Sequence, residues 1–170
     1  MSVSLEKVRF LIVDDNAHMQ SIVRTILKGF GAVHIFEAND PSEALERLRN
    51  EDIDIVILDY LLGEEDGVAF LRRLRTGPES PAPYVPVIML TAHSERALVQ
   101  MARDAGASEF CAKPVTAAEM LRKVAAVIDR SRPFVRSKTY FGPDRRRQPD
   151  PGYKGEERRE RGRDEDPSAS

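Results

Sequence analysis

The chain has 170 residues, long enough for one domain of ordinary size plus an extension, since domains usually run ~100–150 residues. Its net charge of −2 conceals an acidic body and a basic tail: residues 1–130 carry 15 Lys+Arg and 20 Asp+Glu, residues 131–170 carry 11 and 8. The single cysteine, Cys111, excludes an internal disulfide and a cysteine-built zinc site, and no stretch approaches the ~18 consecutive apolar residues of a membrane span or a signal peptide's apolar run, so a soluble cytoplasmic protein is expected.

From residue 8 to about 130, strand-like and helix-like stretches alternate, the signature of an α/β fold with a parallel sheet. A first strand, Val8 to Val13, stops at Asp14-Asp15. Apolar residues at 19, 22, 23, 26 and 27 then predict a helix, closed by Gly29 and Gly31. Residues 33–38 read as the second strand, and Asp40-Pro41 opens a helix over about 41–49 that buries Ala44, Leu45 and Leu48. The third strand begins at Ile53 and ends at Asp59, and a polar, Gly-containing loop leads to a helix over about 67–75 with Val68, Phe70, Leu71 and Leu74 available for packing. A Pro-rich loop, residues 77–84, precedes a fourth strand, Val87 to Leu90, that stops at Thr91. A helix over about 94–104 ends in Gly106, a fifth strand over about 108–112 stops at Lys113-Pro114, and a last helix runs over about 116–130. Met19, Met89, Met101 and Met120 read as core-filling residues, as does Cys111. The expected organisation is an N-terminal arm, 1–6, a folded domain, 7–130, and a tail, 131–170, whose Pro, Gly, Arg and acidic content without periodicity reads as mostly disordered.

Three acids, a hydroxyl and a lysine thus sit at the carboxyl ends of parallel strands, the edge where open α/β sheets bind ligands. Asp14, Asp15 and Asp59 held close together repel, and desolvation worsens the repulsion. A divalent cation resolves it, and Mg²⁺ takes hard oxygen ligands from a few carboxylates, waters and a phosphate. With the cation in place Asp59 can act as a nucleophile toward phosphorus, with Lys113 supplying positive charge and Thr91 a hydrogen bond.

These residues, Asp14-Asp15, Asp59, Thr91-Ala92 and Lys113-Pro114, resemble the receiver domain of bacterial two-component response regulators, the CheY-like family. The resemblance covers about residues 7–130, and Asp66-Gly67 and Ala105-Gly106-Ala107 also match family habits. It implies a flavodoxin-like fold, a five-stranded parallel sheet in the order 2-1-3-4-5 with helices on both faces. It implies that Asp59 accepts a phosphoryl group from the phosphohistidine of a histidine kinase or phosphotransfer protein. Asp15, Asp59 and the backbone carbonyl of Leu61 would hold Mg²⁺, with Asp14 contributing directly or through water. Thr91 would swing toward the phosphoryl group with Phe110 as the coupled aromatic switch, and Lys113, preceding a cis proline bond, would pair with the phosphate. Leu61 and His93 occupy the variable positions that tune phosphoryl lifetime. Leu62-Gly63 replaces the family's frequent Met-Pro pair, so this loop is expected to be more mobile.

The implied function is a single-domain response regulator in a phosphorelay, not an enzyme with a separate catalytic domain, and no helix-turn-helix pattern for binding DNA follows residue 130. Its output would be contact with a downstream protein. Two alternatives stay open: a phosphate sink that drains a shared kinase, and an adaptor whose Arg-rich tail binds a polyanion. In the tail, Arg132, Arg136, Arg145, Arg146 and Arg147 interleave with Tyr140 and Phe141, a pattern of charged and stacking anchors. Arg158-Arg159 with Arg163 resembles the cyclic-di-GMP motif of PilZ domains, without the PilZ barrel, and a cyclic dinucleotide is the ligand that spacing implies.

Overall fold

A computed structural model describes residues 4–92, 96–129, 134–136 and 141–143. Its main sheet consists of β1 (Arg9–Val13), β2 (His34–Ala38), β3 (Ile55–Asp59), β6 (Val87–Thr91) and β7 (Glu109–Ala112), all parallel, in the order β2-β1-β3-β6-β7. This is the expected order, with the two-residue strands β4 (Leu61–Leu62) and β5 (Glu65–Asp66) inserted after β3. The helices are α1 (Ala17–Gly29), α2 (Pro41–Asn50), α3 (Gly67–Thr76), α4 (Arg96–Ala105) and α5 (Ala117–Asp129).

Alternation along the strands divides the core into two layers. Phe10, Ile12, Ile55, Ile57, Ile88, Leu90 and Cys111 pack with Val23 and Leu27 of α1 and with Met120 and Val124 of α5. Leu11, Val13, Val56, Leu58, Val87 and Met89 pack with residues of α2, α3 and α4 on the other face. Burial on both faces is why β3 and β6 read as unbroken apolar runs, and every residue of both strands is buried. Burial also raises the Cys111 thiol's pKa, as befits a core residue.

The ends of the helices follow local chemistry. Asn16 caps α1 by accepting from the N–H groups of His18 and Met19, and Asp40 and Asp66 cap α2 and α3 in the same way. Helix α4 stops where Gly106 takes φ +107°, with Gly106 N–H donating to Arg103 and Ala107 N–H to Ala102.

Several expectations are corrected. Strand β3 starts at Ile55, not Ile53, because the Asp54 carboxylate accepts from Arg9 N–H at 2.8 Å and ends the ladder there. Met101 is exposed: α4 turns the small side chains of Ala102 and Ala105 to the core and leaves its neighbour outside. The loop after Asp59 is a hairpin, Leu61 pairing with Asp66 and Leu62 with Glu65 around Gly63 at φ +63°. The reading of the tail as mostly disordered is not among these corrections; its described residues form a short antiparallel pair, β8 (Phe134–Arg136) with β9 (Phe141–Pro143), and β9 lies beside α3. Both strands carry Phe, and β8 adds Val, residues that favour extended backbone in short segments where periodicity is unreadable. Among the described residues no helix is long and apolar enough to cross a membrane.

Candidate functional site

The carboxyl ends of β1, β3, β6 and β7 bring Asp14, Asp15, Asp59, Thr91 and Lys113 to one edge of the sheet. Asp14 and Asp15 follow β1 at the point where the chain turns into α1. The two neighbours meet opposite fates. Asp14 is fully buried, whereas Asp15 is exposed.

One carboxylate oxygen from each of Asp14, Asp15 and Asp59 lies within 4.8 Å of the others. Lys113 Nζ reaches Asp59 Oδ1 at 2.8 Å, and the Asp59 side chain is only 7% exposed. Asp14 Oδ1 accepts from Asn16 N–H at 2.9 Å, while its Oδ2 is buried with no hydrogen-bond partner. Burial pushes the Asp14 carboxyl up to about 6, the Asn16 N–H opposes the rise, and the Asp59 charge adds to it against the pull of Lys113. A buried acceptor without a donor, beside two more carboxylates, is the signature of a missing positive partner. The donors are all hard oxygens, which fit a Mg²⁺-type cation.

Around this cluster the backbone is tightly specified. Gly67 N–H donates to Tyr60 O at 2.6 Å, and a Cβ at Gly67 would stand 2.3 Å from Asp59 O, so only glycine lets α3 begin against the end of β3. A side chain at Gly63 would lie 3.7 Å from Asp15 Oδ2, which puts the β4–β5 turn over the exposed carboxylate. Leu61, two residues after Asp59, is 56% exposed at the rim. Thr91 is buried, its carbonyl accepting from Lys113 N–H at 2.8 Å, and the Lys113–Pro114 peptide is cis. Phe110 is half-buried against the α2–α4 layer and pairs with Met89 across β6 and β7.

Sequence reading missed two buried polar side chains, Gln20 at this edge and Arg75 at the opposite one, where β6 and β7 begin. Gln20 of α1, 5% exposed, donates from Nε2 to Asp14 O at 2.7 Å and lies 3.1 Å from Ala38 O and 3.2 Å from Asn39 Oδ1. It ties the ends of β1 and β2 to α1 and holds the peptide joining Asp14 to Asp15. Arg75 of α3 donates to Gly106 O, Pro83 O and Val85 O at 2.6–3.1 Å, fastening α3 to the turn after α4 and to the connection that leads into β6. A polar residue inside the apolar stripe of α1 was the available signal for Gln20. Arg75 gave none, since a basic residue in a helix's last turn is ordinary.

Of the remaining candidates, His93, Arg132, Tyr140, Arg145, Arg146 and Arg147 lie outside the described residues. Arg136 ends β8 and Phe141 begins β9, away from the acid cluster in sequence and on the separate two-stranded sheet.

The response regulator receiver domain family matches residues 10–125. The chain is 32% identical over 125 residues to chemotaxis protein CheY-3 of Vibrio cholerae serotype O1, covering 74% of this chain and 95% of that protein. It is 34% identical over 127 residues to a probable chemotaxis protein CheY of Rhizobium etli, covering 75% and 96%. Among solved structures, a putative response regulator from Chloroflexus aurantiacus aligns with TM-score 0.65 at 28% identity, covering 73% of this chain and all of that one. The CheX-CheY-BeF3-Mg complex from Borrelia burgdorferi aligns with TM-score 0.63 at 30% identity, covering 71% and 89%.

Proposed function

The chain belongs to the response regulator receiver domain family, and from that premise we propose that it is a bacterial, cytoplasmic phosphoacceptor switch in which Asp59 takes a phosphoryl group from a histidine kinase or phosphotransfer protein. The observation that carries the reading is the 2.8 Å pair between Lys113 Nζ and Asp59 Oδ1 inside a cluster of three carboxylates.

Asp14, Asp15, Asp59 and the Leu61 carbonyl are the groups that would hold Mg²⁺, which when bound neutralises the acids and the incoming phosphoryl oxygens. An Asp59 oxygen attacks phosphorus, the O–P bond forming as the P–N bond to the donor imidazole breaks and that nitrogen takes a proton from solvent. Lys113 exchanges its carboxylate partner for a phosphoryl oxygen. Thr91 donates its hydroxyl hydrogen to another, and the space it leaves is filled by Phe110. The shift is a change in the populations of two packings, driven only by contacts made with the phosphoryl group. The protein thus works as a phosphoacceptor whose output is protein–protein contact, as befits a family with a relative solved in complex with CheX.

Incubation with acetyl phosphate or a phosphorylated kinase should label the protein at Asp59 only when Mg²⁺ is present. Label that survives in Asp59→Asn, or in excess chelator, would refute the assignment.

A further inference from the structure

The edge of the sheet opposite the acid cluster holds a second buried polar network, and α4 is fastened to it at one end. Arg75 of α3 is 2% exposed. Its Nε and Nη2 donate to Gly106 O at 3.1 and 3.0 Å, and its Nη1 donates to Pro83 O at 3.0 Å and to Val85 O at 2.6 Å. One guanidinium thereby joins α3, the turn that closes α4 and the connection into β6. Its charge meets the chain just past the carboxyl end of α4, the negative end of that helix's dipole. In the same turn Ser108 N–H donates to Val87 O at 2.8 Å and Ser108 Oγ accepts from Val87 N–H at 3.1 Å, so the turn is also bonded twice to the start of β6. The grip of α4 on the core lies at this end too. Of its described side chains only Ala102 and Ala105 are buried, whereas Ala97, Gln100 and Met101 are exposed and Leu98 and Val99 are half-buried. The amino end of α4, Arg96, follows soon after β6 ends at Thr91, whose hydroxyl turns to the phosphoryl group in the function proposed above.

We infer that Arg75 is a positioning residue of the switch: it holds the carboxyl end of α4 as a fixed pivot, so that phosphorylation at Asp59 displaces the amino end alone. The inference rests on the phosphoacceptor reading. The two ends of α4 differ in what displacement costs. Moving the carboxyl end takes Gly106 O away from a buried guanidinium, and buried polar groups left unpaired are expensive, those bonded to a charge most of all. Moving the amino end disturbs two half-buried side chains, Leu98 and Val99, and uncovers little apolar surface. The pivot needs arginine. Its planar fork reaches three carbonyls at once, whereas lysine offers a point charge at the end of one stem.

The test uses the full chain and its single, buried cysteine, which leaves a thiol-reactive spin label to react at introduced cysteines. Arg72→Cys on the exposed side of α3 is paired with Ala97→Cys or with Asp104→Cys at the two ends of α4, all three positions being exposed. Electron–electron distances are read without and with Mg²⁺ and beryllium fluoride, a stand-in for the phosphoryl group, and acetyl phosphate labelling of Asp59 is followed in every variant. With Arg75 in place the distance between positions 72 and 97 should shift by ~3 Å, the travel of the far end of such a helix tilting by ~15°, and that between 72 and 104 by less than ~1 Å. Arg75→Lys should leave Asp59 labelling intact and share the displacement between the two ends, ~1–2 Å each. Arg75→Met leaves no buried charge and should do the same, which keeps the test open if the lysine chain does not fold. The native pair of distances decides the pivot in either case. The inference is overturned if both ends of α4 move equally in the native protein, if neither moves although Asp59 is labelled, or if the Arg75 variants respond as the native protein does. Absence of labelling in the native protein fells the phosphoacceptor reading and the pivot with it, whereas labelling with an unmoved amino end fells the pivot alone.

Discussion

Replacing Asp14 by asparagine should stabilise the metal-free protein at neutral pH, because Asp14 is buried, carries an oxygen without a partner and sits against Asp59. Its carboxyl ionises near 3.8 in an unfolded chain and near 6 in the native protein. The native state therefore binds the proton more tightly. The associated stability is fully present below about pH 4 and is lost as pH rises through about 6. The gap between 3.8 and about 6 is worth ~3 kcal/mol at pH 7. The introduced amide keeps an acceptor for the Asn16 N–H and adds a donor that can face Asp59, so most of that burden should disappear. Urea denaturation in chelator from pH 4 to pH 8 reads the difference, and contributions common to both proteins cancel. The two should be about equally stable at pH 4, with Asp14→Asn ahead by ~2–3 kcal/mol at pH 7. Saturating Mg²⁺ should shrink that lead by giving the native acids a counter-charge. A variant no more stable than the native protein at pH 7, or a difference that does not change with pH, would refute the reasoning.

Two further substitutions test the scaffold of the site. Gln20→Met keeps volume but removes the donor to Asp14 O, and should weaken Mg²⁺ binding by about tenfold, the lower end for groups that orient metal ligands. Magnesium titration by calorimetry on fully folded protein checks it, and an unchanged affinity would reduce Gln20 to a packing residue. Gly67→Ala drives a methyl into Asp59 O and should cost ~1–3 kcal/mol while lowering Asp59 labelling. Gly63→Ala has only Asp15 Oδ2 nearby, at 3.7 Å, so it should lose about 1 kcal/mol for its left-handed backbone alone. Equal losses of stability and labelling at the two glycines would contradict the close approach at Gly67.

The strands and the strand-end acids were legible because burial on both faces forces continuous apolar runs, whereas the strand order came only with the family resemblance. A polar residue that closes such a run, as Asp59 and Thr91 do, marks the sheet's working edge. The short ladders β4–β5 and β8–β9 were not legible, since two or three residues are too few to show a period of two. Nor could the chain alone tell Asp14 from Asp15. Adjacent side chains point to opposite sides, and the fold buries Asp14 while Asp15 faces solvent. Gln20 and Arg75 carry the same lesson. Their partners stand 18 and 31 residues away, at Ala38 and Gly106, and a polar group's burial becomes tolerable only when the fold delivers those carbonyls. Local chemistry decides where helices start and strands stop, whereas the satisfaction of buried polar groups depends on groups that only the folded chain brings together.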